Sequence, residues 1–429
     1  MKRIIAVLLI VVMCFSTNGS LLAIAETNQD TKPGTSTESK DSKDTAAKGA
    51  ETAALDISAP SAVLMEGSTG EILYEKNCHE RRMLASVTKV MTLLLIFEAI
   101  EQGKIKVTDE VSVSEHAASM GGSQVYLEPY ETQTVDTMIK CISIASANDA
   151  SVAMAEFIAG SETEFVARMN QRAKELGMED TSFLNCCGLD DDITEGHYSS
   201  AYDIALMSRE LVARFPQISD YSTVWMDTFT HVTKKGESEF GLTNTNKLVR
   251  TYDGITGLKT GSTSKAKYCL SATAKRNGMD LIAVVMAAPE PKGRFQDAAK
   301  MLDYGFASCS LFSDDNKDLS LEPVKIRRGT QDAVTGTVKD IFSYVCLKGV
   351  SAENISKEVV INEQIEAPIA IGDEIGYVHY YLDDKEIGKV PVVSAEAVDK
   401  AKYKHYLEKL ANRYFLKHQD EKSGKETDN

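Results

Sequence analysis

From Ser86 to Gln102 the chain is dense in valine, methionine, leucine, isoleucine and phenylalanine around most of a helical circumference, and Gly103 follows as a stop. A helix apolar on nearly every side has no face to give to water, so this segment must run through the inside of a domain with other elements packed around it. The sequence supplies them. Helical patterns cover Val135 to Ile144, Ala150 to Ala159, Glu162 to Leu176 and Ala201 to Val212. Extended patterns flank this run: Ala62 to Glu66 and Glu71 to Lys76 around Gly67-Ser68-Thr69-Gly70, then Tyr268 to Ala274 and Met279 to Met286 around Asn277-Gly278. Strands that bracket a set of helices predict an α+β domain with one mainly antiparallel sheet.

Beyond Phe312 the pattern changes to short alternating runs: Val324 to Ile326, Thr337 to Cys346, Val359 to Ile361, Glu374 to Leu382 and, after the turn Asp383-Asp384, Ile387 to Val393. These predict a small all-β module. A length of 429 residues accommodates two or three domains. The expected boundaries are a leader (1–25), a flexible spacer (26–56), the α+β domain (57–311), the β-rich domain (312–394), a C-terminal helix (395–417) and a charged tail (418–429).

Lys2 and Arg3 precede the apolar run Ile4 to Val12, and Ala23-Ile24-Ala25 offers a small-residue cleavage site, the layout of a secretory signal peptide. That apolar run is shorter than the roughly 20 residues a spanning helix needs. The expected product is exported. Near the other end, Tyr403, Tyr406, Leu407, Leu410, Ala411 and Tyr414 recur at helical spacing among Lys400, Lys402, Lys404, Lys409, Arg413 and Lys417. Such a basic amphipathic helix lies on an anionic membrane surface, packs on its own β-module or stands as a solvated charged stalk, and the first is expected because this segment alone is basic in an acidic chain.

A net charge of -16 argues against a nucleic-acid partner, which needs a basic face. With Cys14 in the leader, an odd number of cysteines remains, without C-x-x-C spacing, so they read as small buried apolar residues rather than a disulfide framework.

Three short motifs carry chemistry. Ser86-Val87-Thr88-Lys89 opens the buried helix, and residues three apart project from one face of a first helical turn, so the Lys89 amine can reach the Ser86 hydroxyl and activate it. Burial would keep that amine partly neutral, and the free N–H groups of a helix N-terminus favour developing negative charge. Spacing alone is weak evidence, because Ser262 to Lys265 and Ser264 to Lys267 match as well. Ser146-Ala147-Asn148 interrupts two apolar helices and offers a hydroxyl for proton shuttling and an amide for a carbonyl or a lysine. Lys259-Thr260-Gly261 opens the strand pair: the lysine places a positive charge, the threonine donates to a carboxylate, and the glycine is expected to let a ligand approach the strand.

In this order the three are the motif set of penicillin-binding proteins and class A β-lactamases. The chain resembles the low-molecular-mass penicillin-binding proteins, specifically the serine-type D-alanyl-D-alanine carboxypeptidases. The likeness runs from about Ile57 to Val393 and includes Leu84 to Thr92, Gly188-Leu189-Asp190 with His197-Tyr198-Ser199-Ser200-Ala201, and Asp253 to Gly261. It implies a β-lactamase/transpeptidase-like antiparallel sheet with a helical lobe, followed by the β-module as a pedestal and a membrane-resting helix.

The resemblance also implies roles. Ser86 would attack the bond between the terminal D-alanines of a peptidoglycan stem peptide, with Lys89 as base. Ser146, Asn148 and Lys259 would complete the catalytic set, and Ser86 and Ser262 N–H groups would form the oxyanion hole. Thr260, Gly261, Ser262 and Arg294 would line the substrate site, with Thr260 and Arg294 meeting the terminal carboxylate. β-Lactams would act as covalent inhibitors. No metal and no cofactor is expected. The implied location is extracytoplasmic, on the outer face of the cytoplasmic membrane or in the wall.

Two residues depart from the usual pattern: Ser262 stands where close relatives often have histidine, and Ala147 where glycine is commoner. The long spacer is also unusual. The alternatives on the same scaffold are a β-lactamase and a D,D-endopeptidase or transpeptidase. Against the β-lactamase, the stretch Glu179 to Asn185 puts Thr181 where the deacylating glutamate of class A enzymes would stand.

Overall fold

The computed structural model describes residues 55–191 and 194–423. The expected leader, all but the last residues of the expected spacer, and the end of the charged tail (424–429) lie outside the described residues.

Five strands form one antiparallel sheet: β1 (Ser61–Glu66), β2 (Ile72–Lys76), β3 (Ile255–Thr263), β4 (Lys267–Arg276) and β5 (Met279–Ala288), in the spatial order β2-β1-β5-β4-β3. The N-terminal hairpin closes against β5, with Ala62 opposite Val285 and Leu64 opposite Ala283. Asn277 and Gly278 turn between β4 and β5 with φ of 50° and 80°, the left-handed pair that a two-residue hairpin turn requires.

Alternate side chains of a strand point to opposite faces. Val63, Met65, Ile282, Val284 and Met286 therefore join the core of the helical lobe. Ala62, Leu64, Leu281, Ala283 and Val285 pack with Phe295, Ala298, Met301 and Leu302 of the helix Gly293–Ser308. Both faces are covered, which is why these strands read as continuous apolar runs.

The helical lobe surrounds the central helix Lys89–Glu101, whose Val90, Met91, Leu93, Leu94, Ile96 and Phe97 are all buried. Around it stand Val135–Ser143, Asn148–Ala159, Glu162–Glu175 and Ala201–Arg214. The α+β architecture follows the sequence pattern, with two local corrections: Ser86 lies in the 3-10 turn Ala85–Thr88, not in the first α-turn, and Lys259-Thr260-Gly261 lies inside a strand of its own, β3, rather than opening the pair β4 and β5.

Strand Cys309–Asp314 pairs with Phe342–Leu347. A four-stranded antiparallel sheet of Gly336–Val338, Lys385–Ser394, Glu374–Leu382 and Ile355–Ile361 completes the C-terminal module. Its core is centred on Tyr380, stacked on Phe342 with ring centroids 3.8 Å apart. The C-terminal helix runs Tyr403–Ser423. It starts there because the chain before it is still tied to the module through the bridges Ile369 to Val398 and Gly329 to Lys400. Among the described residues no helix is long and apolar enough to cross a membrane.

Candidate active site

The site begins at a bend. Ala85 takes a φ of 48°, and the chain enters the central helix through a 3-10 turn. Side chains three apart eclipse in such a turn, and Ser86 Oγ stands 3.0 Å from Lys89 Nζ. Two glycines let other segments close on this bend. A Cβ on Gly188 would lie 1.9 Å from the Ala85 carbonyl oxygen, and one on Gly261 would lie 2.7 Å from Leu84 O and 3.0 Å from Ser86 N. Gly261 therefore makes room for the serine turn itself, whereas the sequence pattern predicts room for a ligand.

Lys89 is fully buried. Its Nζ donates to Asn148 Oδ1 at 2.6 Å and to the Cys187 carbonyl at 2.7 Å. Asn148 cannot be turned over, because its amide nitrogen donates to Gly121 O at 2.7 Å. Both partners are thus acceptors only. A neutral amine has two hydrogens, and these two acceptors use both, so its lone pair is left facing Ser86 Oγ. Burial pushes the Lys89 pKa down to about 8, which makes that neutral form accessible.

Lys259 approaches from β3, one of the two edge strands of the sheet. Its Nζ donates to Ser146 Oγ at 2.9 Å and to Thr260 O at 3.1 Å. Burial, with Lys89 and Arg294 nearby, holds its pKa well below the usual lysine range. Ser146 has a φ of 64° and, with Asn148, lies at the start of the helix Asn148–Ala159. The three motifs meet at one place.

Thr260 donates its hydroxyl hydrogen to Thr245 Oγ1 at 2.7 Å. Ser262 is exposed. Arg294 lies over the Tyr268 and Phe295 rings and donates to Gly261 O at 2.9 Å, so it is fixed on the same strand as the Lys259 motif. Thr181 carries no carboxylate into the site, and its hydroxyl is bonded to Asp203 at 2.7 Å.

Sequence reasoning did not find the Cys187 carbonyl, Thr245 or Asn185, whose Oδ1 accepts from the N–H groups of Cys187 and Gly188 and so shapes that turn. A backbone acceptor leaves no side-chain signature. The usable signal is Gly188, inside a stretch already singled out.

The family model for D-alanyl-D-alanine carboxypeptidase (peptidase family S11) matches residues 46–290, and that for the C-terminal domain of penicillin-binding protein 5 matches residues 307–400. The chain is 45% identical over 361 residues to the D-alanyl-D-alanine carboxypeptidase DacF of Bacillus subtilis (strain 168), covering 84% of this chain and 91% of the relative. Among solved structures it is similar to penicillin binding protein 5 from Haemophilus influenzae, with a TM-score of 0.68 and 31% identity over 80% of this chain and 98% of that one. It is also similar to penicillin-binding protein D2 from Listeria monocytogenes in the ampicillin-bound form, with a TM-score of 0.52 and 30% identity over 59% of this chain and 99% of that one. With more than half of the sequence inside the peptidase model and the Bacillus relative matched over most of its length, the chain belongs to the D-alanyl-D-alanine carboxypeptidase family.

Proposed function

We propose that this chain removes the terminal D-alanine from peptidoglycan stem pentapeptides through an acyl-enzyme on Ser86. The observation that carries the reading is the Lys89 amine, with both hydrogens committed to Asn148 and Cys187 and its third direction on Ser86 Oγ. Ser86 Oγ attacks the carbonyl between the two D-alanines while Lys89 takes its proton. The oxyanion is met by the Ser86 and Ser262 N–H groups. As the C–N bond breaks, the proton reaches the departing amine by way of Ser146, which Lys259 holds at 2.9 Å. Water then attacks the ester, with Lys89 again as base, releasing the shortened peptide and the free hydroxyl. The terminal carboxylate lies against Thr260 and the charge of Arg294.

β-Lactams should acylate the same serine, a reading supported by the ampicillin-bound Listeria relative. The test is incubation with a pentapeptide ending in D-Ala-D-Ala, with D-alanine and peptide products both measured. One D-alanine per peptide is expected. Cross-linked product would point to a transpeptidase, and rapid multiple turnover of a β-lactam to a β-lactamase; either would overturn the assignment.

The pH profile has a definite sign. Only the neutral amine accepts the serine proton, and the neutral fraction grows with pH through the Lys89 pKa of about 8. Acylation should therefore accelerate as pH rises from about 6 to about 9 and then level off. Rapid-quench labelling with a fluorescent penicillin measures it, and a rate that falls over this interval contradicts Lys89 as base.

The proposal extends to location: export by the leader and attachment to the outer face of the membrane by the C-terminal helix. Tyr403, Leu407, Leu410 and Tyr414 are exposed on that helix, which supports a lipid-facing use over packing on the module. The full chain with Leu407→Asp and Leu410→Asp should lose co-sedimentation with anionic vesicles; unchanged binding would exclude the helix as anchor.

A further inference from the structure

His197 is buried, and neither of its ring nitrogens is occupied by the catalytic groups above. Nδ1 accepts from the Leu184 N–H at 3.0 Å. Nε2 lies 3.0 Å from Thr88 Oγ1, and the Thr88 hydroxyl donates to the Ala85 carbonyl at 2.8 Å. Two independent constraints fix the tautomer. Nδ1 must be bare to accept from a backbone N–H, and Thr88 has spent its only hydrogen on Ala85, so Nε2–H must donate to Thr88. The result is a one-way chain: Leu184 N–H to His197, His197 to Thr88, Thr88 to Ala85 O. Burial pushes the His197 pKa down to about 4, so this arrangement holds at neutral pH.

The end of that chain matters because Ala85 C=O and Ser86 N–H belong to one planar peptide unit. In a trans peptide the carbonyl and the N–H point in opposite directions. Drawing the Ala85 oxygen onto Thr88 therefore turns the Ser86 N–H the opposite way, away from Thr88. The other end of the chain holds Leu184, just before the turn in which Asn185 shapes the Cys187 carbonyl that receives Lys89. We infer that His197 is a positioning residue for the acylation step: through Thr88 and the Ala85 carbonyl it sets the direction of the Ser86 N–H that receives the oxyanion. This rests on the reading of Ser86 as nucleophile.

An oxyanion donor acts in the transition state more than in the bound state, and losing one outright costs about 10² to 10³ in rate. Misaiming one should cost about tenfold in kcat with KM changed less than about twofold. The experiment compares His197→Leu, His197→Gln, Thr88→Val and the His197→Leu/Thr88→Val double variant in the full chain. Readouts are kcat and KM on the pentapeptide, the rate of benzylpenicillin acylation, and the melting temperature.

His197→Leu and Thr88→Val should slow acylation about equally, and the double variant should be no slower than either, since both break one chain. His197→Gln, whose amide can still donate to Thr88, should recover most of the rate. If His197→Leu does not fold, Thr88→Val and His197→Gln carry the comparison. A lowered melting temperature with wild-type acylation in the single variants would overturn the inference, leaving His197 a packing residue. So would additive losses in the double variant, or no recovery with glutamine. A wild-type chain that neither acylates nor releases D-alanine would instead overturn the function itself, and this inference with it.

Discussion

Ser86→Ala should release no measurable D-alanine and take up no penicillin, while Lys89→Met should still fold and acylate at least about 10²-fold more slowly than the wild type. The two losses differ in kind. Ser86 supplies the atom that becomes covalently bound, so its removal leaves no partial pathway; removal of an essential nucleophile elsewhere costs on the order of 10⁶ in kcat. Lys89 supplies a proton acceptor, and positioned bases contribute about 10² to 10⁴. Among the described residues the other buried amine of the site, Lys259, is held on Ser146 and Thr260 and cannot take its place.

Methionine keeps the apolar stem of Lys89 but leaves Asn148 Oδ1 and the Cys187 carbonyl without their donor, so the variant should melt at a somewhat lower temperature. D-alanine release and mass-detected acylation measure both effects. Release at the wild-type rate from Ser86→Ala would remove the nucleophile from the mechanism.

How legible this site was depends on which atoms do the work. Ser86 and Lys89 are bound to meet whenever their segment is helical, because both α and 3-10 turns bring residues three apart together. The bend that makes the turn 3-10, with Ala85 at a φ of 48°, has no composition signal because alanine rarely occupies that region. The Cys187 carbonyl is invisible for another reason: it is a main-chain atom. Convergence of Lys259 with Ser146 needs the sheet order, in which β3 pairs with β4 and stands at the edge opposite β2.

The missed elements of the fold are of two kinds: the helix Gly293–Ser308 and the separate strand β3 are well buried, whereas the others have thin hydrophobic signal. The hairpin Met226–Thr233 and Gly236–Thr243 buries little beyond Phe229, His231 and Leu242, so its alternation is nearly all polar. The predicted run Thr337 to Cys346 is two strands, Gly336–Val338 and Phe342–Leu347, parted at Lys339 and Asp340. Where both faces of a strand are covered, as in β5, the apolar run is long and its position was plain.

Gly188→Ala should cost more than any other single methyl group added near the site. Gly188 has a φ of 88°, and a left-handed alanine costs about 1 to 2 kcal/mol by itself. The added Cβ would also stand 1.9 Å from Ala85 O and 2.3 Å from Ala85 C, both backbone atoms, so no side chain can swing away to relieve it. One of two segments must move. The Cys187 turn is tied by Asn185 to the Gly188 N–H at 2.6 Å and by Lys89 to the Cys187 carbonyl at 2.7 Å, while the serine turn is tied through Thr88.

Moving either one shifts Lys89 relative to Ser86, and displacements of about 1 Å at reacting groups cost about 10² in rate. The expected result is a loss of roughly 3 kcal/mol or more in stability together with a fall in kcat of about 100-fold. Gly103→Ala separates the two causes. It has a φ of 67° and no heavy atom within 4 Å of its Cβ position; it should lose only the left-handed cost, with kcat unchanged. Thermal melts and pentapeptide kinetics on the pair decide the matter: if Gly188→Ala retains a kcat within about twofold of Gly103→Ala, close packing of these two turns does not set the geometry of the nucleophile.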